Sequence, residues 1–299
     1  MNFAKIEESL QKVADVDKSG YQLNSVLALT KDLKFNEVSG PLSGVPILIK
    51  DNIEALGLPA TAGSLALADT PVVRDSTIAK RLRAAGATII GSTNLSEWAN
   101  IRSGKSTSGW SAVGGLTANP WIHKHSAGGS SSGSGSAIAG GLVSLAVGTE
   151  TDGSIICPAS LNGCVGIKPT VGSVSRVGVV PISDAQDSPG PLARSVADAA
   201  LLLEVLSGIP NLVTAANSTQ QLRIGIVKSW LSGDVGTDQL FEAAISALTK
   251  TNATLVEIKV SAPAESIGND EYECLLHELV DDLGTYLPGR TDGELVSLA

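Results

Sequence analysis

Apolar residues recur at helical spacing near the start of the chain. Ile6, Leu10 and Val13 lie in residues 3–17, and Leu23, Val26, Leu27 and Leu29 in residues 20–34. That period predicts two surface helices. The pattern then changes. GVPILIK (44–50) is an unbroken apolar run after the turn at Gly40–Gly44, which predicts a short buried strand ending in Lys50. DSTIAKRLRAAG (75–86) returns to the helical period, with Asp75 or Ser76 as N-cap and Gly86 as stop. ATIIGSTN (87–94) is a second apolar run, and LSEWANI begins another helix. Short buried strands alternating with amphipathic helices predict β-α-β units and a parallel or mixed sheet.

The later chain keeps that alternation. AIAGGLVSLAVG (137–148) has the bulk for a helix followed by a buried strand. GCVGIKPT (163–170) and VGVVPIS (177–183) precede the helical ARSVADAALLLEVLSG (193–208). LRIGIVK (222–228) predicts a strand, 236–250 a helix, ATLVEIKV (253–260) an alternating strand, and Glu271–Tyr286 the start of a last helix. No segment of disordered composition and no solenoid period interrupts the series. The expectation is one α/β domain over residues 1–299, a central mixed β-sheet covered by helices on both faces.

Composition narrows the class. Only 17% of the 299 residues are charged, which suits a sheet buried on both sides. The net charge of −9, without a basic cluster, argues against nucleic-acid binding. The N-terminal MNFAKIEESLQKVAD has no apolar signal core, and no window is long and apolar enough to span a bilayer. Cys157, Cys164 and Cys274 lack metal-ligand spacing and are expected as buried small apolar residues in a reducing compartment. A soluble cytoplasmic protein with no cofactor, metal, membrane or nucleic-acid partner is the expectation.

Candidate chemistry concentrates in SAGGSSSGSGSAIAGGLVSLAVGTETDGSIICP (126–158). Glycines at 128, 129, 133 and 135 permit close backbone approach beside serine hydroxyls, although a flexible linker has similar composition. Ser154, on a glycine turn after a strand, has backbone N–H groups near it that can hold an oxyanion; an ordinary turn serine fits the same residues. A nucleophilic serine needs a proton acceptor. His277 falls on a helix face, and His123 and His125 flank Lys124 in a loop, where a metal pair finds no third ligand. Lys50 ends an apolar run, where desolvation lowers an amine's pKa, though a lysine snorkelling from a strand end is the plainer reading.

GGSSSGS (128–134) followed by GTETDGSIICPAS (148–160) resembles the signature of the amidase signature family of Ser-Ser-Lys hydrolases. GVPILIKDNIEA (44–55), TAGSLAL (61–67), GSTNLSEWAN (91–100), NGCVGIKPTVGSVSR (162–176) and QDSPGPLARSVADAA (186–200) extend the resemblance, in order, over most of residues 40–208. It is closest to the peptide-amidase-like branch, which also carries a helix similar to EYECLLHELVDDLGTYL (271–287). The resemblance implies Ser154 as nucleophile, Ser130 as a bridging serine on a cis peptide bond, and Lys50 as base. The 24-residue step from Ser130 to Ser154 is the family's own, which selects Ser130 over Ser131. It implies an oxyanion hole from the amides of Thr151, Asp152, Gly153 and Ser154, with Ser131 in support. The implied activity is hydrolysis of a carboxamide or C-terminal peptide amide through an acyl-enzyme. The alternatives are an inactive remnant and a partner-dependent glutamine amidotransferase subunit. Two departures stand out. D-G-S-I-I replaces the common G-G-S-I-R, with Asp152 and Ile156 for Gly and Arg, which argues against the transamidosome component. The family domain also continues past the position of Ala299, so an incomplete domain, a homodimer or a complementing chain is expected.

Overall fold

A computed structural model describes residues 4–70, 72–218, 220–259 and 265–290. They form two compact units: residues up to Ala216 together with those from Leu275 on, and Asn217–Cys274.

The larger unit opens with α1 (Ala4–Lys12), which runs into a π-helical turn over Val13–Lys18. The second predicted helix, 20–34, is not present; this segment contains the strand β1 (Val26–Leu29). Gln22 and Asn24 sit at φ 57° and 52°, which breaks any helical path. The buried Asp17 carboxylate then accepts the Ser25 N–H at 2.6 Å and the Val26 N–H at 3.2 Å, where a helix would need carbonyls.

β2 (Pro46–Lys50), α2 (Thr77–Ala84) and β3 (Thr88–Thr93) follow as the pattern predicts. Ser76 is the N-cap, its hydroxyl accepting the Ala79 N–H at 3.1 Å. The expected helix at LSEWANI is a single 3₁₀ turn, Glu97–Asn100, in which Trp98, Ala99 and Asn100 have φ of 48°, 50° and 76°. Instead of continuing a helix, the Trp98 N–H bonds Ala62 O at 2.9 Å. The hairpin β4 (Trp110–Ser111) and β5 (Gly115–Leu116) leads to α3 (Ser132–Ala139), β6 (Leu145–Glu150), α4 (Ile156–Asn162) and β7 (Val165–Gly166). β8 (Ser188–Ala193) precedes α5 (Val196–Ser207) and α6 (Leu212–Ala216).

The six-stranded sheet runs β1-β3-β2-β6-β8-β7. β2 is parallel to β3 and β6, whereas β1 and β8 run antiparallel to their neighbours. The sheet is therefore mixed, as expected. Alternate residues of β2 face two cores. Ile47 and Ile49 pack with α2 and α5, including Leu82, Leu202 and Leu206, while Leu48 packs with Ile6, Ile90 and Ile138 on the α1 and α3 side. Lys50 ends the strand, fully buried, at the sheet's edge of carboxyl termini.

The smaller unit is one β-α-β crossover: β9 (Arg223–Ile226), α7 (Val235–Leu248) and β10 (Thr254–Glu257), with the two strands parallel. α8 (Glu265–Arg290) starts earlier than the sequence pattern indicates. Its Leu283 and Leu287, in the larger unit, pack on Ala62, Leu67, Trp98 and Val180.

The cysteines depart from expectation. Cys157 and Cys274 are exposed, on the outward faces of α4 and α8, and Cys164 is half-buried, its thiol pushed by burial up to about 11.

Candidate active site

Three strand and helix ends converge on the carboxyl edge of the sheet: β2 brings Lys50, β6 leads into the turn bearing Ser154, and the loop entering α3 brings Ser130 and Ser131. Close approach depends on small residues. A Cβ on Gly133 would lie 2.6 Å from both Asn94 N and O, and one on Gly148 would lie 2.7 Å from Ser131 Oγ. The Gly/Ser run is thus a packed element, not a linker. The Gly129–Ser130 peptide is cis.

Lys50 Nζ lies 2.7 Å from Ser130 Oγ, with both residues fully buried. Nζ also contacts Thr149 Oγ1 at 2.9 Å and Thr149 O at 3.2 Å. Desolvation lowers the amine to about 7, against the weaker pull of the Asp187 and Glu150 carboxylates, which favour the ammonium. An amine near neutrality in hydrogen-bond reach of a serine can take its proton.

Ser131 occupies a different place. Its hydroxyl donates to Thr149 O at 3.1 Å and accepts the Thr149 N–H at 3.2 Å, while its N–H bonds Ser154 O at 3.1 Å. It ties the helix entry to both the end of β6 and the turn. Ser154 is 8% exposed, against 0% for Lys50 and Ser130. Among the described residues no hydrogen bond joins Ser154 Oγ to Ser130 Oγ. The structure therefore brings Lys50 and Ser130 into contact and ties Ser154, through its backbone carbonyl, to Ser131.

The turn after β6 is the segment from which the sequence leads one to expect an oxyanion hole. Among the described residues no acceptor is found for the backbone N–H groups of Thr151, Asp152, Gly153 or Ser154. Gly153 has φ +76°, and a Cβ there would meet nothing within 4 Å, so the turn borders open space. Two carboxylates brace it. Glu150 Oε2 accepts the N–H groups of Ile155 at 2.6 Å and Ile156 at 2.9 Å. Asp187 accepts the Thr151 hydroxyl and the Ile182 N–H, the latter at 2.8 Å.

Sequence patterning does not single out Thr149, Asn52, Glu150 or Asp187. Thr149 and Glu150 lie in the GTETDGS block, and Asn52 lies two residues after Lys50, so proximity to the candidate residues is the available signal. Asp51, beside Lys50, is buried and pushed up to about 6 by desolvation, with Thr61 donating its N–H at 2.9 Å. His123 and His125 lie exposed in their loop, and no cluster of three or more metal-ligating side chains occurs among the described residues. No helix among those residues is long and apolar enough to cross a membrane. A cavity of about 550 Å³ in the larger unit is lined by Arg74, Val174, Arg176, Val179, Asp282 and Tyr286, and none of the relay residues reaches it.

A sequence model of the amidase family matches residues 12–288. A putative amidase of Arthroderma benhamiae is 40% identical over 276 residues, which covers 85% of this chain and 46% of that protein. A glutamyl-tRNA(Gln) amidotransferase component of Salinispora tropica is 42% identical over 241 residues, 74% of this chain and 48% of that protein. The native peptide amidase of Stenotrophomonas maltophilia superposes with a TM-score of 0.89 at 39% identity, over 99% of this chain and 66% of that one. The chain thus spans about half the length of the curated relatives it matches.

Proposed function

The chain belongs to the amidase family, and from that premise we propose that it hydrolyses a carboxamide or a C-terminal peptide amide to a carboxylate and ammonia. The observation that carries this reading is the 2.7 Å contact between Ser130 Oγ and a buried Lys50 amine lowered to about 7.

Lys50 accepts the Ser130 hydroxyl proton as Ser130 accepts the proton of Ser154. Ser154 Oγ bonds to the amide carbonyl carbon, and the oxyanion is held by the N–H groups of Thr151 to Ser154. The proton returns through Ser130 to the nitrogen, the C–N bond breaks, and ammonia leaves an acyl-enzyme. A water molecule then gives its proton to the same relay and its oxygen to the acyl carbon; the bond from that carbon to Ser154 Oγ breaks, the relay returns the proton to Ser154, and the acid leaves. Ser131 supports the relay by fixing Thr149 and the turn.

The match over residues 12–288 crosses both compact units, which supports reading 1–299 as part of one amidase domain. The similarity to the Salinispora tropica amidotransferase component supports a second reading, in which a partner chain receives the ammonia. The test is ammonia release from a panel of peptide amides and from glutamine by the purified chain. Release from peptide amides alone favours the hydrolase; release only with a partner chain present favours the second reading. A folded chain inert under both conditions overturns both.

A further inference from the structure

The three neighbours of the Lys50 amine decide where its lone pair points. A neutral amine has two N–H donors and one lone pair. Thr149 O can only accept, so it takes one N–H. If Thr149 Oγ1 accepts the other, the lone pair is left for the Ser130 proton. If Thr149 instead donates its hydroxyl proton to Nζ, the lone pair is filled and Ser130 has no base. The Thr149 proton must therefore be held elsewhere.

Asn52 is placed to hold it. It is 4% exposed, and its amide lies on Thr149 Oγ1 with Nδ2 at 3.0 Å, while Oδ1 is buried without a partner. In that orientation two donors face Thr149 Oγ1, and its own proton has no acceptor among the described residues. A half-turn about the last side-chain bond keeps the outline of the amide and places its carbonyl oxygen on Thr149. The NH₂ group then takes the position without a partner, so the amide is no worse satisfied, and the Thr149 proton gains an acceptor. We infer that Asn52 is a positioning residue: its amide oxygen takes the Thr149 hydroxyl proton, so that neutral Lys50 presents its lone pair to Ser130. This rests on the reading of Lys50 as the base.

The experiment follows fluorophosphonate capture of Ser154 against pH in the full chain, with thermal melts as a folding control. Asn52→Leu is expected to slow capture about 10- to 100-fold, the size carried by outer partners of a reacting group. Asn52→Asp keeps acceptor oxygens and adds negative charge near the ammonium. Its pH–rate midpoint moves up from the wild-type value, and capture above that midpoint exceeds that of Asn52→Leu. The added charge raises the midpoint of Asn52→Asp whatever Asn52 does, so the rate decides: Asn52→Asp capturing no faster than Asn52→Leu above its own midpoint overturns the inference. Asn52→Leu capturing at the wild-type rate, while Lys50→Met does not capture, overturns it and leaves the base assignment standing. A folded wild type that takes no label overturns both. If Asn52→Leu does not fold, the plateau rate of Asn52→Asp decides: close to wild type above its own midpoint supports the inference, and a loss of about tenfold or more there overturns it.

Discussion

The two halves of the candidate site are built differently. The base half, Lys50 with Ser130 and Ser131, is 0% exposed and clamped between β2, β6 and the entry to α3. Packing there has no slack: any side chain at Gly133 meets Asn94 backbone. The proposed nucleophile half is a turn at the surface, with Ser154 itself only 8% exposed. Asp152 is exposed, Gly153 borders open space, and Ser154 makes its contact with the base half through its backbone carbonyl. The proposed proton acceptor, Lys50, is thus fixed by the core, where desolvation lowers its pKa. The proposed nucleophile, Ser154, lies on a turn whose Thr151 to Ser154 N–H groups have no acceptor among the described residues. Two carboxylates, Glu150 and Asp187, keep that exposed half in shape.

Breaking the halves separately gives graded effects. Ser154→Ala is expected to abolish fluorophosphonate capture with an unchanged thermal melt, measured by intact mass. Lys50→Met removes the base but fills the same buried space, and slows capture by about 10² to 10⁴, the range general bases supply. Its stability should also lose a pH dependence. The folded pKa of Lys50, about 7, lies below the unfolded value near 10.5, so the unfolded chain binds the extra proton between them. The Lys50 contribution to stability therefore rises with pH from about 7 toward 10.5 and is flat below, and it is absent in Lys50→Met; the difference between wild-type and variant denaturant melts at several pH values reads it. Gly133→Ala drives a methyl into backbone that cannot move aside and costs about 3 kcal/mol or more, read by the same melts. Gly153→Ala strains a left-handed residue but meets no atom, costing about 1 kcal/mol. Equal losses for the two glycine variants would erase the distinction between the halves.

The elements of the base half were legible as local patterns, but Lys50 as base and Ser130 as its partner came only from the family resemblance. PILIK reads as a buried strand, and the glycines at the start of α3 mark close approach. The elements missed were those set by distant contacts. β1 carries a helical apolar period, yet left-handed Gln22 and Asn24 and the buried Asp17 carboxylate make it an edge strand beside β3. β8, with Pro189 and Pro191, lacks the composition of a central strand, but it pairs with β6 on one side and β7 on the other. Thr149 and Asn52 were invisible as partners because the pairing of β2 with β6, and not their sequence spacing, brings them together. The turn at Trp98 is likewise fixed by a bond to Ala62 that the sequence of LSEWANI does not announce.

Everything proposed for the site depends on a buried neutral Lys50 that drives proton removal from the serines. Its most direct test is the pH dependence of fluorophosphonate capture of Ser154, compared between wild type and Lys50→Met. The expected wild-type rate rises about tenfold per pH unit and levels off with a midpoint near pH 7, and the variant is slow and lacks that midpoint. A wild-type profile with no midpoint near 7, or one retained in Lys50→Met, would contradict the role given to Lys50.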